Sequence, residues 1–299
     1  MSRRHLTMLF ALSALWGASF MFIKVGDREL EPITLVGFRM ALGALTLVPI
    51  VLLTVGARRT VRELRAAALP LVLTGLFNSA IPILSITWAE TRIDSGLTAI
   101  IQASAPLFTA LLALRFSRDQ SVRGSRLVGL FVGFAGVALL VGGQPDGEAV
   151  AALAVVFSAL CYAGAGLYAG RYLRDVSPLV TALGALTAAT VATLPIGLLQ
   201  LPHQVPGWKV TGSVLTLGIA GTGLAYILYY ALVAGAGASR AILITYLVPT
   251  FALGYGAVLL DEPVTGAAVG GLALVLAGVA LGTGAVRSGK AARVASNEI

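Results

Sequence analysis

The sequence predicts an all-α polytopic membrane protein with ten transmembrane helices, arranged as two inverted five-helix repeats. Three observations carry this: a composition too apolar for a soluble domain, apolar runs of spanning length along the whole chain, and basic residues concentrated in the connections on one of its two sides.

Of the 299 residues, 58% are hydrophobic and 11% are charged, and the mean hydropathy is +0.91. A soluble chain carries roughly a quarter of charged residues to stay hydrated. The 35 glycines suit the close approach of helices in lipid. Cys161 is the single cysteine, which excludes an intramolecular disulfide framework and a cysteine-rich metal site; it reads as a small packing residue.

The apolar runs fall near 6–25, 33–55, 69–89, 96–115, 125–143, 149–169, 178–199, 211–234, 238–260 and 266–285. Each approaches the ~20 residues that cross a hydrocarbon core. The first run follows Met1-Ser2-Arg3-Arg4-His5 without a small-residue cleavage pattern and is expected to be a retained span. Connections are short, so no soluble domain fits between spans. If the N-terminus is cytoplasmic, sixteen Lys and Arg residues fall on cytoplasmic segments, among them Arg58, Arg59, Arg62, Arg65, Arg118, Arg123 and Arg240. Four fall on the other side (Lys24, Arg28, Arg92 and Lys209), and Arg39 lies within the second span. This asymmetry predicts a bacterial inner-membrane protein with both termini cytoplasmic. It accounts for the net charge of +8 without nucleic acid.

The halves repeat. Ala135-Gly136-Val137-Ala138-Leu139 recurs as Ala277-Gly278-Val279-Ala280-Leu281, and Ser13-Ala14-Leu15 recurs as Ser158-Ala159-Leu160. Pro32, Pro49 and Pro106 recur as Pro178, Pro195 and Pro249. The expected organisation is a first repeat over 1–146, a second over 147–286 and a cytoplasmic tail over 287–299. Five spans per repeat is an odd number, so the second repeat enters the membrane inverted, as in many secondary transporters.

Pro82, Pro106 and Pro249 lie mid-span and cannot donate to the carbonyls of Asn78, Gln102 and Thr245. Either a polar cavity uses these bare carbonyls, with the prolines as hinges, or neighbouring helices heal ordinary kinks. Tyr226, Tyr229 and Tyr230 share one helical face by their spacing; they line such a cavity or form an interfacial belt. Trp16, Trp88 and Tyr246 are further cavity candidates. Arg39 is an intramembrane charge that snorkels to the surface or pairs with Glu90 or Asp94. Lys24 and Glu90 read as end-of-span residues. GxxxG spacings at Gly129/Gly133, Gly166/Gly170, Gly266/Gly270 and Gly278/Gly282 predict tight packing within the chain or across a dimer. No metal-ligand cluster, activated nucleophile or phosphate-binding loop is present in the sequence, so neither a cofactor nor an enzyme is expected.

Leu15-Trp16-Gly17-Ala18-Ser19-Phe20 through Lys24, Pro32 and Arg39, then Ala105-Pro106-Leu107-Phe108-Thr109-Ala110-Leu111-Leu112, then Val248-Pro249-Thr250-Phe251 leading to Leu260-Asp261-Glu262-Pro263 and Gly266, occur in that order. Together they resemble the drug/metabolite transporter superfamily, in its EamA-like branch of ten-helix bacterial exporters. Leu260-Asp261-Glu262-Pro263 is similar to that family's Gly-Glu-Pro stretch, and Arg118-Asp119-Gln120 departs from the pattern in the first half. The resemblance implies a basket of inverted halves around a central cavity, exporting amino acids, related metabolites or organic cations, aromatic amino acids among them. A flippase for a lipid-linked intermediate is the alternative. The expected partners are a small-molecule substrate and the lipid bilayer, with the chain as a monomer or homodimer.

Overall fold

A computed structural model describes residues 1–116 and 125–282, and every described element is helical. The basic residues Arg118 and Arg123 and the tail 287–299 lie outside the described residues. In order, α1 is Arg3–Gly26, α2 Pro32–Thr54, α3 Ala57–Ala66, α4 Ala68–Glu90, α5 Ser95–Gln102 and α6 Ala105–Phe116. There follow α7 Ser125–Gly142, α8 Asp146–Tyr172, α9 Pro178–Leu198, α10 Trp208–Ala236, α11 Ala238–Ala241, α12 Ile244–Leu259 and α13 Gly266–Gly282.

Helix starts follow local chemistry. Ser2 accepts a hydrogen bond from the His5 N–H, and Pro32 and Pro178 open α2 and α9, where their missing N–H groups cost nothing. Among the described residues seven stretches are long and apolar enough to cross a membrane, while Leu127–Gly142, Ile244–Leu259 and Gly266–Gly282 are shorter apolar helices. The run at 238–260 is shortened because the chain turns at Ile242 and Leu243 before α12 begins. Large apolar side chains such as Leu53, Phe131, Val191 and Leu199 stay on the outer surface, as lipid contact requires. The short helix α3 is different: Arg58, Arg59, Arg62 and Arg65 are exposed, while Thr60 and Glu63 are buried.

Two helices contain a widened turn, Leu76–Ala80 in α4 and Thr216–Leu224 in α10. In α4 the Ile81 N–H reaches back to Leu76 O, just ahead of Pro82. Near Pro106 the helix breaks outright: Ala103 and Ser104 form a turn, and α6 starts anew. At Pro249, its repeat partner, α12 runs through without interruption.

The packing pairs α2 with α9 and α7 with α13. Around these, α1 packs on α12 while α8 packs on α5 and α6, and α2 packs on the widened turn of α10 while α9 packs on α4. Glycine permits the closest approach. A Cβ on Gly278 would meet backbone atoms of Gly133 and Gly129, and one on Gly136 would meet Leu274 Cβ at 2.8 Å and Val275 N at 3.1 Å. The GxxxG pairs at 129/133 and 278/282 therefore face each other within the chain. Gly166, Gly170, Gly266 and Gly270 have open space instead.

Candidate functional site

Helices α1, α2, α4, α5, α8, α10 and α12 enclose a cavity of about 580 Å³. Of the sequence-expected cavity residues, Trp16, Asn78, Gln102, Tyr226, Tyr229 and Thr245 line it, together with Arg39. Its walls extend from Phe20, Ile23 and Ile86 to Ala241 and Ile242, just before α12.

The aromatic lining is built by one ring contact between α1 and α10 and two within α10. Trp16 and Tyr229 lie 5.7 Å apart between centroids; Tyr229 meets Tyr230 edge-on at 5.4 Å, and Tyr230 stacks with Tyr226 at 6.1 Å. Each ring fixes the next, so the cavity presents flat π faces in a set orientation. Such faces attract an ammonium group. Gln102 adds a side-chain oxygen that is buried without a hydrogen-bond partner among the described residues. That oxygen is an unused acceptor on a residue that lines the cavity.

Arg39 faces inward and is 8% exposed, so it does not snorkel to the surface. Its Nε donates to Thr222 Oγ1 at 3.1 Å. Thr222 sits in the widened turn of α10, and its methyl group lies close to Gly43 of α2, which leaves the threonine nowhere else to turn. The expected pairing of Arg39 with Glu90 or Asp94 is not formed. Among the described residues the ion pairs are Arg59 with Glu63 and Arg174 with Asp175. A guanidinium has five N–H donors in a planar fork that matches a carboxylate, and among the described residues only the Nε donor is engaged.

Two expected cavity residues lie elsewhere. Trp88 lines a separate cavity of about 560 Å³ beside Asp27, Arg28 and Gln200, with the Arg92 guanidinium 4.1 Å above its ring. Tyr246 packs, like Trp88, against the apolar cluster of Ile100, Leu107, Leu140 and Val155. Tyr246 lies about 100° round α12 from Thr245, on the side that meets this cluster. The widened turn in α4 adds a residue before Trp88, which rotates it away from the face that Asn78 presents. Three polar lining residues were not singled out in the sequence: Ser79, Tyr162 and Thr222. Tyr162 had a weak signal: it lies one place beyond Cys161, the residue that the repeated Ser158-Ala159-Leu160 aligns with Trp16.

The end of the molecule away from α3 is held by carboxylates that cap helices across the fold. Glu262 accepts from the Ser95 N–H at 2.9 Å, the Ser95 hydroxyl at 2.8 Å and the Gly96 N–H at 3.3 Å, which caps α5. Asp261 sets this up by adopting φ 58°, a left-handed conformation that lets the Glu262 N–H return to Gly256 O at 3.0 Å. Glu29 likewise accepts from the Gly207 N–H at 2.7 Å, at the start of α10. At the α3 end, Glu63 accepts from Arg59 Nε at 2.6 Å and from the Ser177 N–H at 2.9 Å. Among the described residues no group of three or more His, Cys, Asp and Glu side chains could hold a metal ion.

Comparison with known proteins agrees with this architecture. A solved crystal structure superposes with a TM-score of 0.69 over 96% of this chain and all of its own, at 19% identity, which speaks for the fold. The uncharacterized inner membrane transporter YedA of Escherichia coli strain K12 is 28% identical, over 72% of this chain and 67% of its own. A probable terminal-alkyne amino-acid exporter of Streptantibioticus cattleyicolor is 28% identical over 89% of each chain. The sequence model of the EamA-like transporter family matches twice, over residues 4–142 and again over 149–283. With nearly its whole length covered by that double match, the chain belongs to the EamA-like transporter family.

Proposed function

We propose that this protein exports amino acids or closely related small metabolites by alternating access. The observation that carries the reading is the central cavity. Its lining offers a guanidinium with unengaged donors, packed aromatic rings and an unused amide oxygen. An amino acid presents a carboxylate and an ammonium a few ångströms apart. Arg39 suits the first, and Trp16, Tyr226, Tyr229 and Gln102 suit the second. The similarity to the probable terminal-alkyne amino-acid exporter of Streptantibioticus cattleyicolor supports the substrate class.

The same proposal includes ten membrane passes in two inverted halves, with both termini cytoplasmic. Its support is the double family match, the reciprocal helix pairings and the widened turns in the third long helix of each half. The exposed arginines of α3 suit the cytoplasmic face. Inverted halves have two equivalent asymmetric packings, and exchanging them moves the cavity opening from one face to the other.

The test is counterflow in proteoliposomes loaded with a panel of unlabelled amino acids, organic cations and a lipid-linked sugar. Saturable exchange of a labelled amino acid is expected. A purified, folded protein that exchanges no amino acid or related metabolite in the panel contradicts the reading, and movement of the lipid-linked sugar alone would replace it with a flippase.

A further inference from the structure

At the end opposite α3 lies a cavity of about 410 Å³, lined by Lys24, Asp27, Glu90, Asp94 and Glu262 among others. Lys24, in the last turn of α1, donates its Nζ to the carbonyl oxygens of Glu90 at 2.5 Å and Ile93 at 2.8 Å. It thereby satisfies the open end of α4 rather than either neighbouring carboxylate. Glu90 is completely buried, and neither of its carboxylate oxygens has a hydrogen-bond partner among the described residues. Both oxygens of Asp27, the residue that ends α1, are in the same condition.

Two carboxyl groups shut away from water without donors are unstable as anions, and a proton removes the problem. The charged groups acting on Glu90 come from each element around it: Lys24 from α1, Asp27 just beyond, Arg39 from α2 and Glu262 from the loop before α13. Lys24 and Glu31 act on Asp27, and Arg28 lines the same cavity. Asp94 faces Glu262, Lys24 and Glu148. Burial, only partly opposed by Lys24 and reinforced by Glu31, pushes the Asp27 carboxyl up to about 8. A hydrated aspartate ionises near pH 4.

We propose that Glu90 and Asp27, beside Lys24, form a proton-binding site that is loaded when this end of the transporter closes and emptied when it opens. On closing, an O–H bond forms at a carboxylate oxygen as the bond to that proton in an acid of the outer solution, such as hydronium, breaks and leaves the conjugate base behind. The sign follows directly. The closed form holds the proton more tightly, so acid on this side favours closure and alkali favours opening. The position next to Arg39 places the site between the outer solution and the central cavity. The proposal rests on the transporter reading for its purpose, although the site can be tested without any substrate.

The test is labelling from the outside with a membrane-impermeant maleimide, in a Cys161→Ser background. Leu260→Cys reports on the cavity, and Val205→Cys, on an exposed loop, corrects for the intrinsic pH dependence of the thiol. Between about pH 5 and about pH 9 the ratio of the two rates is expected to rise about tenfold, as for a group that titrates between these limits. Glu90→Gln and Asp27→Asn, made separately, are expected to flatten it. A flat ratio in the otherwise unmodified protein overturns the proposal whether or not either variant folds, and so does an unchanged slope in both folded variants. A protein that exchanges amino acids with a flat ratio loses this site alone. One that titrates as described but moves no solute loses the transport reading alone.

Discussion

Replacing Arg39 tests the binding chemistry of the cavity. The guanidinium is 8% exposed, makes one bond, Nε to Thr222 at 3.1 Å, and has no acid partner among the described residues. Hydrogen bonds to charged groups contribute about 1.5–3 kcal/mol. At about 1.4 kcal/mol per decade, losing the carboxylate contact corresponds to a fall in affinity of about 10- to 150-fold. The assay is competition against counterflow of a labelled amino acid, using the amino acid, its amide and the decarboxylated amine. The unmodified protein should favour the acid over the amide by about that factor, and Arg39→Gln should erase the preference by weakening the acid alone. Arg39→Lys keeps the charge but loses the planar fork, so an intermediate loss of about fivefold is expected. Thr222→Val removes only the acceptor that aims the side chain, at about 1 kcal/mol. If folded Arg39→Gln still prefers the acid as strongly as the parent does, the carboxylate assignment is refuted.

Other expectations follow from packing and capping. Gly278→Ala forces a methyl group into the backbone of α7 and should cost about 1–3 kcal/mol in detergent melts, whereas Gly270→Ala meets open space and should gain up to about 1 kcal/mol. Equal melting temperatures for the two would contradict the assigned α7–α13 contact. Asp261→Gly relieves a left-handed residue and should raise stability by about 0.5–1 kcal/mol; a lower melting temperature would mean the Asp261 side chain matters in its own right. Glu63 is raised by burial, but the bonds from Arg59 and Ser177 outweigh this and hold its carboxyl below the usual range. Its ionised form therefore stabilises the fold above the ordinary carboxylate range, and that contribution is lost as pH falls through the lowered value. Glu63→Gln should cost about 1 kcal/mol at neutral pH and flatten the acid limb of the melting curve; an unchanged acid limb would count against the cap on α9.

The sequence displayed the helices because each apolar run must find its backbone bonds within itself in lipid. It also displayed part of the cavity, since Asn78, Gln102 and Thr245 are polar residues where lipid permits few. It misplaced Trp88 and Tyr246 for a geometric reason: a widened turn and a one-residue step each swing a side chain to another face, and neither leaves a mark in composition. Thr222 was hidden because its partner, Arg39, lies 183 positions away. Glu90 read as an end-of-span residue because its burial depends on Lys24 and the loop of Glu262, which approach only in the folded chain. The Gly-Glu-Pro resemblance was more informative than it looked. Asp261 stands where that pattern has glycine, and it adopts the backbone conformation that glycine favours.

The central claim is that one cavity opens to one face at a time. Single cysteines at Ile86, on one cavity wall, and at Ile242, just before α12, can be labelled from either side of the membrane in a Cys161→Ser background, with and without saturating substrate. Alternating access predicts that substrate shifts the two labelling rates in opposite directions, with each site reached from its own face. Rates that rise and fall together, or both sites reached from one face, would contradict it.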